Sequence, residues 1–416
     1  MKRRALFESK QHRRLLFLIA SGSVVIRLIA VVLFRFDMDE GAFEFEHIAQ
    51  NLAAGNGFWF NGYGDFPEGP TAWEAPLYAF ILAGYMLLFG NNLIGMAFIQ
   101  TMIAGLTCWG LGVYATWLVG PAVGLLTASV FALYPEMIFM PLKYVAEPWL
   151  LAELILFLLI GFKYFQTEKV RYVILCGLIA GIAALTKESA LIFPLVLMVW
   201  MALKKRLTSK IIRDTVLMVV VMLAVIAPWT IRNYKVFDEF VLIRTNFWTN
   251  LWRGNHPGAT GCARGFDKEL IDFSLDPDYS ARLHAELHGN EVQREQAHEK
   301  FAFEFIRQNP GKYVNLSLRR FIYFWTVDPT HPMSGNILYW LPWIFLSIFA
   351  LVGGIITRHR WKDFSFWYLL FAIMTVVYSL MLVLPRYRIP LLPGVMLLAA
   401  AGLHWLLTRN RETRDA

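Results

Sequence analysis

Apolar runs recur along this chain at lengths suited to crossing a bilayer. They fall at 15–34, 76–89, 93–119, 123–140, 146–162, 172–185, 190–203, 215–229, 337–356, 364–384 and 391–407. Roughly 20 helical residues cover the hydrocarbon core, so the longer runs predict spanning helices. The shorter ones predict tilted, bent or broken helices, or helices covered by protein. Two polar stretches interrupt the pattern, 35–75 and 231–336. The second opens with turn residues, Gly254-Asn255-His256-Pro257-Gly258 and then Gly261 and Gly265. A polar run over 279–309 follows, in which Ala297, Phe301, Phe305 and Ile306 recur at helical spacing. Asn309-Pro310-Gly311 ends that run, and a second amphipathic piece at 314–325 leads back to the membrane. Helices lying on the membrane surface are expected here rather than a separate domain. The pattern predicts an all-α polytopic membrane protein with about 10–11 transmembrane helices.

Composition agrees. Of 416 residues 57% are apolar and 17% charged, and the mean hydropathy is +0.47, too apolar for a soluble domain. The net charge of +8 is concentrated in short runs: Lys2/Arg3/Arg4/Lys10/Arg13/Arg14, Lys163/Lys169/Arg171, Lys204/Lys205/Arg206/Lys210/Arg213, Arg358/Arg360/Lys362 and Arg409/Arg411/Arg414. Such loops stay cytoplasmic, so the charge reflects inner-leaflet anchoring and not nucleic-acid binding. The chain then divides into a basic cytoplasmic N-terminus (1–14), a first transmembrane helix (15–34), an outer loop (35–75) expected to fold into short helices against the membrane, a helix bundle (76–230), a long outer loop (231–336), C-terminal transmembrane helices (337–408) and a cytoplasmic tail (409–416). The first helix reads as a signal anchor, since no small-residue cleavage site follows it. Four apolar runs lie between the first outer loop and the Lys163 loop, where an odd number is required. One of them does not span, and 76–89 and 123–140 are the candidates. Cys108, Cys176 and Cys262 form neither a disulfide framework nor a metal pattern.

The loop 35–75 is the chemical clue. It holds Asp37, Asp39, Glu40, Glu44, Glu46, Asp65, Glu68 and Glu74 against the single cation Arg35. Carboxylates gathered at a bilayer surface serve protons or cations, although most of these are expected to be solvated. Arg232, Arg386 and Arg388 stand at predicted outer helix ends, where arginine forks suit phosphate oxygens or snorkel to headgroups. Lys187-Glu188 lies at the turn between two short apolar runs, as a functional or a structural ion pair. Asp37-Met38-Asp39 spells a metal-binding triplet that recurs by chance; no metal is indicated, and the triplet leaves room for a divalent ion. His284 and His288, four apart on a mixed-charge helix, read as a solvated face. Asn315-Leu316-Ser317 is a formal sequon inside a helical run.

Several segments resemble the polyprenyl-phosphate-sugar-dependent membrane glycosyltransferases of GT-C architecture, which include the protein mannosyltransferases and the lipid A aminoarabinose transferases. Ile48-Ala49-Gln50-Asn51-Leu52 and Gly55-Asn56-Gly57-Phe58, followed by Gly69-Pro70-Thr71-Ala72-Trp73-Glu74-Ala75-Pro76, are similar to the first outer loop of that family. The stretch 177–194 resembles its "G-x-x-x-G-x-x-x-L-T" helix pair. Pro228-Trp229-Thr230-Ile231-Arg232-Asn233 with Gly254-Asn255 is similar to "P-W-x-x-R-N" and "G-N", and Arg386-Tyr387-Arg388-Ile389-Pro390 to "R-Y-x-x-P". These segments occur in family order over most of the chain.

The resemblance implies a GT-C fold with outer-face loop helices, an isoprenoid-phosphate-linked sugar as donor, and inversion at the anomeric carbon. Such transfer needs a base for the acceptor hydroxyl and cations for the departing phosphate. Asp39-Glu40-Gly41-Ala42-Phe43 matches the mannosyltransferase "D-E-x-x-aromatic" pattern, whereas alignment on Ile48-Ala49 makes Glu44 the nearest acid. Asp39 and Glu44 stay level as base, with Glu40 and Glu46 behind. Arg232, Arg386, Arg388 and Lys187 are the donor-phosphate candidates. Glu147 takes the position of a second acid, and Glu74 stands where the aminoarabinose transferases tend to carry a lysine. The expected partners are the lipid-linked donor, a glycan, lipid or protein acceptor, and membrane lipids, in the plasma membrane with the site on its outer face. Two other readings remain: a lipid or glycan flippase or transporter, and a glycan polymerase or ligase. A transporter would more often carry internal repeats and charges spread through midmembrane helices; here no repeat is visible and the charges gather on one face.

Overall fold

A bundle of long apolar helices carries, at one end, a cap of short helices, turns and one hairpin. The computed structural model describes residues 9–34, 43–63, 66–92, 94–269, 281 and 289–412. In chain order its principal elements are α1 (Lys10–Leu33), α2 (Phe43–Ala53), β1 (Trp59–Tyr63), β2 (Phe66–Pro70), α3 (Pro76–Phe89), α4 (Ile94–Leu118), α5 (Pro121–Leu133), α6 (Pro135–Phe139), α7 (Glu147–Thr167), α8 (Val170–Thr186), α9 (Phe193–Lys205) and α10 (Ser209–Phe237). After these come α11 (Phe247–Gly254), α12 (Glu291–Gln308), α13 (Pro310–Trp325), α14 (Ile337–Ile356), α15 (Trp361–Leu380) and α16 (Leu392–Glu412). Among the described residues seven helices are long and apolar enough to cross a membrane alone, or eight if α5 and the bent segment after it count as one span. The remaining apolar runs are shorter helices, α3, α8 and α9.

The basic runs meet at one end. Lys205 and Lys210 both reach Glu168 at the close of α7, at 2.6 and 2.5 Å, and Lys204 pairs with Asp363 of α15. Arg360 donates to the last-turn carbonyl of Leu118 at 2.7 Å. The starts of α7 and α11 and the end of α8 lie at the opposite end. Of the two candidates for a non-spanning run, 76–89 forms one 14-residue helix and 121–142 is bent. In α3 Tyr78 bonds Gln100 at 3.2 Å, and the Tyr85 ring lies against Gly95, so the helix packs on the first two turns of α4.

Close packing follows the glycines. A Cβ on Gly177 would meet the Met218 carbonyl at 2.6 Å, and one on Gly181 would meet Val225 Cβ at 2.6 Å, so α8 lies directly on the backbone of α10. Gly353 and Gly402 do the same for α14 and α16. In hydrocarbon, where no hydrophobic force draws helices together, such approach supplies the dispersion contact.

Two buried arginines answer for broken helices. The segment after α5 turns by 61° at Tyr134-Pro135, which frees carbonyls that no water can reach. Arg27 of α1, fully buried, donates to Met137 O at 3.0 Å, Phe131 O at 3.1 Å, Ala132 O at 3.4 Å and Ser23 O at 3.0 Å, and also to the Ser23 hydroxyl. Arg320 of α13 caps the ends of two helices, donating to Ser379 O and Gly254 O at 2.6 Å each and to Asn255 Oδ1 at 3.0 Å.

The acidic loop differs from its expected run of short helices. α2 is helical, but 59–70 forms an antiparallel hairpin with Trp59 opposite Pro70 and Tyr63 opposite Phe66. Asn51 ties the two parts, donating to Trp59 O at 3.1 Å and to Asn61 Oδ1 at 2.7 Å. In the long polar segment Ala297, Phe301 and Phe305 are buried as their spacing predicts, in a small core with Leu251, Trp252 and Leu316. α12 ends at Gln308 and Pro310 opens a new helix at once. That helix, α13, packs along α15 rather than lying free: Trp325 Nε1 donates to Thr375 at 3.1 Å and Phe324 stacks on Tyr378 at 5.9 Å.

Candidate functional site

The capped end gathers charge from elements far apart in sequence. Glu44 comes from the first turn of α2 and Glu74 from the loop before α3. Glu147 opens α7, where the helix dipole favours a carboxylate. At Lys187 the chain leaves α8 with extended backbone (φ −158°, ψ 126°), so Lys187 and Glu188 stand at the turn. Arg244 lies between α10 and α11, Arg253 in α11, and Arg386 with Tyr387 in the 3-10 turn Pro385–Leu391.

Most of these charges are paired. Lys187 Nζ reaches Glu147 Oε1 at 2.6 Å, with both side chains nearly excluded from solvent, and sits 5.7 Å above the Tyr387 ring. Arg244 bridges two carboxylates, Glu74 at 3.2 Å and Glu188 at 3.1 Å, while its Nε donates to Trp73 O at 3.0 Å. Burial pulls the Arg244 guanidinium down, but Glu188 and Glu74 overcome that and hold it above the ordinary arginine range. Burial pushes the Glu74 carboxyl up, against the opposing pull of Arg244. Arg253 lies 5.8 Å from the Trp73 ring, within electrostatic reach of Glu44, Tyr387 and Arg386.

Two groups stand apart. Arg386 makes no hydrogen bond or ion pair with any described residue and keeps solvent contact. The carboxylates of Glu147, Glu74 and Glu44 all act on it electrostatically. Glu44 likewise has no hydrogen bond or ion pair with a described residue. Among the described residues, Arg386 and Glu44 therefore stand unpaired in a recess where Glu74, Glu147, Glu188, Lys187 and Arg244 are held by partners. The wall beside them is aromatic: Tyr387 stacks on Tyr378 at 4.4 Å with 19° between planes, and Phe45, next to Glu44, meets Tyr78 edge-on at 5.0 Å.

The remaining sequence candidates fall as follows. Asp39 and Glu40 lie outside the described residues, as do His284 and His288. Arg388 does not share the Arg386 recess. At about three residues per turn, positions two apart on a 3-10 helix diverge, and Arg388 turns to Thr326 O at 2.8 Å and the Trp343 ring at 4.5 Å. Its electrostatic neighbours are Glu136, Tyr134 and Tyr339. Arg232 is a clamp: it donates to Thr71 O at 2.7 Å and Phe58 O at 3.0 Å and lies 4.8 Å from the Trp229 ring. Lys187 is engaged by Glu147. Arg244 was invisible in the sequence because it sits in a segment with equal numbers of acids and bases, where no pattern separates it from solvated charge. Arg253 directly precedes the Gly254-Asn255 pair, which could have pointed to it. Among the described residues no group of three His, Cys, Asp or Glu side chains comes together to hold a metal.

Residues 73–231 match the family model for dolichyl-phosphate-mannose-protein mannosyltransferase. A sequence search of curated proteins finds no match. The structure is similar to the oligosaccharyltransferase AglB of Archaeoglobus fulgidus, solved with an inhibitory peptide and a dolichol-phosphate, at TM-score 0.57 and 13% identity over 98% of this chain and 52% of that one. It is also similar to ArnT of Cupriavidus metallidurans bound to undecaprenyl phosphate, at TM-score 0.51 and 15% identity over 93% of this chain and 59% of that one. The chain thus spans little more than half the length of these structures. It has the GT-C fold of a multi-pass membrane protein.

Proposed function

We propose that this GT-C chain is a membrane glycosyltransferase that moves a sugar from an isoprenoid-phosphate lipid to an acceptor hydroxyl. The observation that carries the reading is the coexistence, in one recess, of the Arg386 guanidinium and the Glu44 carboxylate, neither paired with a described residue, while Glu74, Glu147 and Glu188 are each held by a cation. The match over 73–231 and the bound lipid phosphates of AglB and ArnT support the same donor class.

Chemistry follows from the two groups. Glu44 takes the acceptor proton as the acceptor oxygen attacks the anomeric carbon. The bond from that carbon to the phosphate oxygen breaks on the opposite face, which inverts the configuration. The electron pair leaves on the lipid phosphate, where the Arg386 fork meets two oxygens at once. A phosphate is already a competent leaving group, so one base suffices, in contrast to the paired carboxylates of glycoside hydrolysis. Lys187 and Arg244 keep the neighbouring carboxylates from occupying Arg386. The basic end faces the cytoplasm, as its lysines and arginines direct, and the recess opens on the outer side. Asp39 is the alternative base.

The test is a transfer assay on Glu44→Gln and Asp39→Asn, which keep size and lose the proton acceptor. A positioned base is worth about 10²–10⁴-fold in rate. Glu44→Gln is expected to lose activity on that scale and to retain lipid-donor binding, while Asp39→Asn stays near wild type. The reverse result moves the base to Asp39, and normal rates in both overturn carboxylate catalysis from this loop.

A further inference from the structure

The residues 71–74 have neither helix nor strand to order them, yet they set the position of Glu74. Their backbone groups are satisfied one by one. Thr71 N donates to Phe58 O at 3.1 Å, and Thr71 O accepts from Arg232 at 2.7 Å. Ala72 O accepts from Thr245 N at 3.1 Å, and Trp73 N donates to Thr71 Oγ1 at 2.9 Å. Trp73 O accepts from Arg244 Nε at 3.0 Å and from Asn246 Nδ2 at 3.2 Å.

One carboxylate joins the two sides of this knot. Glu291, in the first turn of α12 and distant in sequence from the loop, accepts from Thr71 Oγ1 at 2.6 Å, from Ala72 N at 3.0 Å and from the Thr245 hydroxyl. It therefore fixes the 71–74 loop to the 243–246 strand of chain at the point where the first carries Glu74 and the second carries Arg244. The Asn290 cap beside it, with a full capping box and a bond from its side chain to Phe237 O at 3.2 Å, anchors α12 to the end of α10. A carboxylate accepting from three donors on two segments orders both. Without it the two segments keep the Arg244 Nε–Trp73 O and Thr245 N–Ala72 O bonds but lose their side-chain brace, which loosens the Glu74–Arg244 contact, 3.2 Å long and shared with Glu188. Released, Glu74 has Arg386 as its next cation.

We infer that Glu291 is a positioning residue: it holds Glu74 on Arg244 and thereby keeps Arg386 open for the donor phosphate. The last clause rests on the function proposed above; the first does not. Two measurements separate them. Arginine modification by phenylglyoxal, mapped by mass spectrometry on the purified full chain, needs no donor. In wild type Arg386 should react and Arg244 should be protected. In Glu291→Ala the order should reverse, and in Glu291→Ala/Glu74→Gln the reactivity of Arg386 should return. Glu291→Gln, which keeps one acceptor oxygen and the side-chain volume, should fall between, and serves if the alanine variant does not fold. Unchanged Arg244 protection in both single variants overturns the inference. So does a failure of Glu74→Gln to restore Arg386, because a generally loosened fold would not be repaired by removing a second carboxylate.

Binding of undecaprenyl phosphate then tests the consequence. Loss of charge-assisted hydrogen bonds from Arg386 should weaken it about tenfold or more in Glu291→Ala, with recovery in the double variant. Modification changing as expected while lipid-phosphate binding stays constant leaves Glu291 as a positioning residue and removes Arg386 as the phosphate ligand.

Discussion

Replacing Lys187 by methionine removes a cation while keeping an unbranched side chain. It leaves Glu147, almost fully buried, without its 2.6 Å partner. A buried carboxylate with its partner deleted costs roughly 3–5 kcal/mol. A cheaper course is open, because Arg386 lies within electrostatic reach of Glu147 and has no described partner to give up. The account therefore predicts that stability falls by less than that range while Arg386 turns to Glu147 and leaves the donor phosphate. Charge-assisted hydrogen bonds contribute about 1.5–3 kcal/mol. At about 1.4 kcal/mol per decade, isoprenoid-phosphate affinity should drop roughly 10- to 150-fold. Lipid-phosphate binding and thermal unfolding, measured in one detergent, read the two effects separately. Lys187→Met/Glu147→Gln removes the stranded carboxylate, so affinity should return. If the double variant binds as weakly as Lys187→Met, Lys187 itself holds the phosphate and the reasoning about Arg386 fails.

Two further outcomes follow from the cap and the bent helix. Arg27→Leu strands the carbonyls of Phe131, Ala132 and Met137, at about 1–3 kcal/mol for each buried group left unpaired. A large fall in melting temperature is expected, and melting close to wild type would show that these carbonyls find other donors. Near α11, burial pushes the Glu295 carboxyl up to about 7 and, with Arg253 and Arg294 nearby, holds His298 down to about 3. The native state then keeps a proton on Glu295 that the unfolded chain releases above its ordinary value of 4.5, so stability drains away as pH rises from there to about 7. His298 acts at the other side: its contribution is present above 6.5 and is lost as pH falls toward about 3. Melting curves of Glu295→Gln and His298→Gln across pH should each lose one of these limbs, and unchanged limbs would contradict the assignment.

Helix positions and the polarity of the bundle were legible because lipid imposes a simple code: apolar runs of spanning length and lysines at one end. The same code marked 76–89 and 123–140 as irregular. Their different forms, a short helix and a bent one, depend on contacts such as Tyr78 with Gln100 and Arg27 with the 131–137 carbonyls that local sequence does not contain. The hairpin of β1 and β2 was missed because the acidic loop was expected as short helices, and strand pairing is a contact between segments that local pattern does not contain. In the site, Glu44, Glu74, Glu147, Lys187 and Arg386 were all named from sequence, since charge at a membrane surface is conspicuous. Their pairing was not legible. Arg232 and Arg386 look alike as arginines at helix ends, and only the structure shows that one is bound to Thr71 and Phe58 carbonyls and the other is open. Arg244 and Glu291 sit among balanced charges, where function leaves no compositional trace.

The central claim is that Arg386 receives the phosphate of an isoprenoid-linked sugar. Its most direct test is transfer of radiolabelled sugar from undecaprenyl-phosphate donors by the purified chain, comparing wild type with Arg386→Lys and Arg386→Ala of equal thermal stability. The account predicts labelled product and released undecaprenyl phosphate with wild type, impaired turnover in Arg386→Lys because the bidentate fork is lost, and still less in Arg386→Ala. Wild-type transfer that persists undiminished in Arg386→Ala would contradict it.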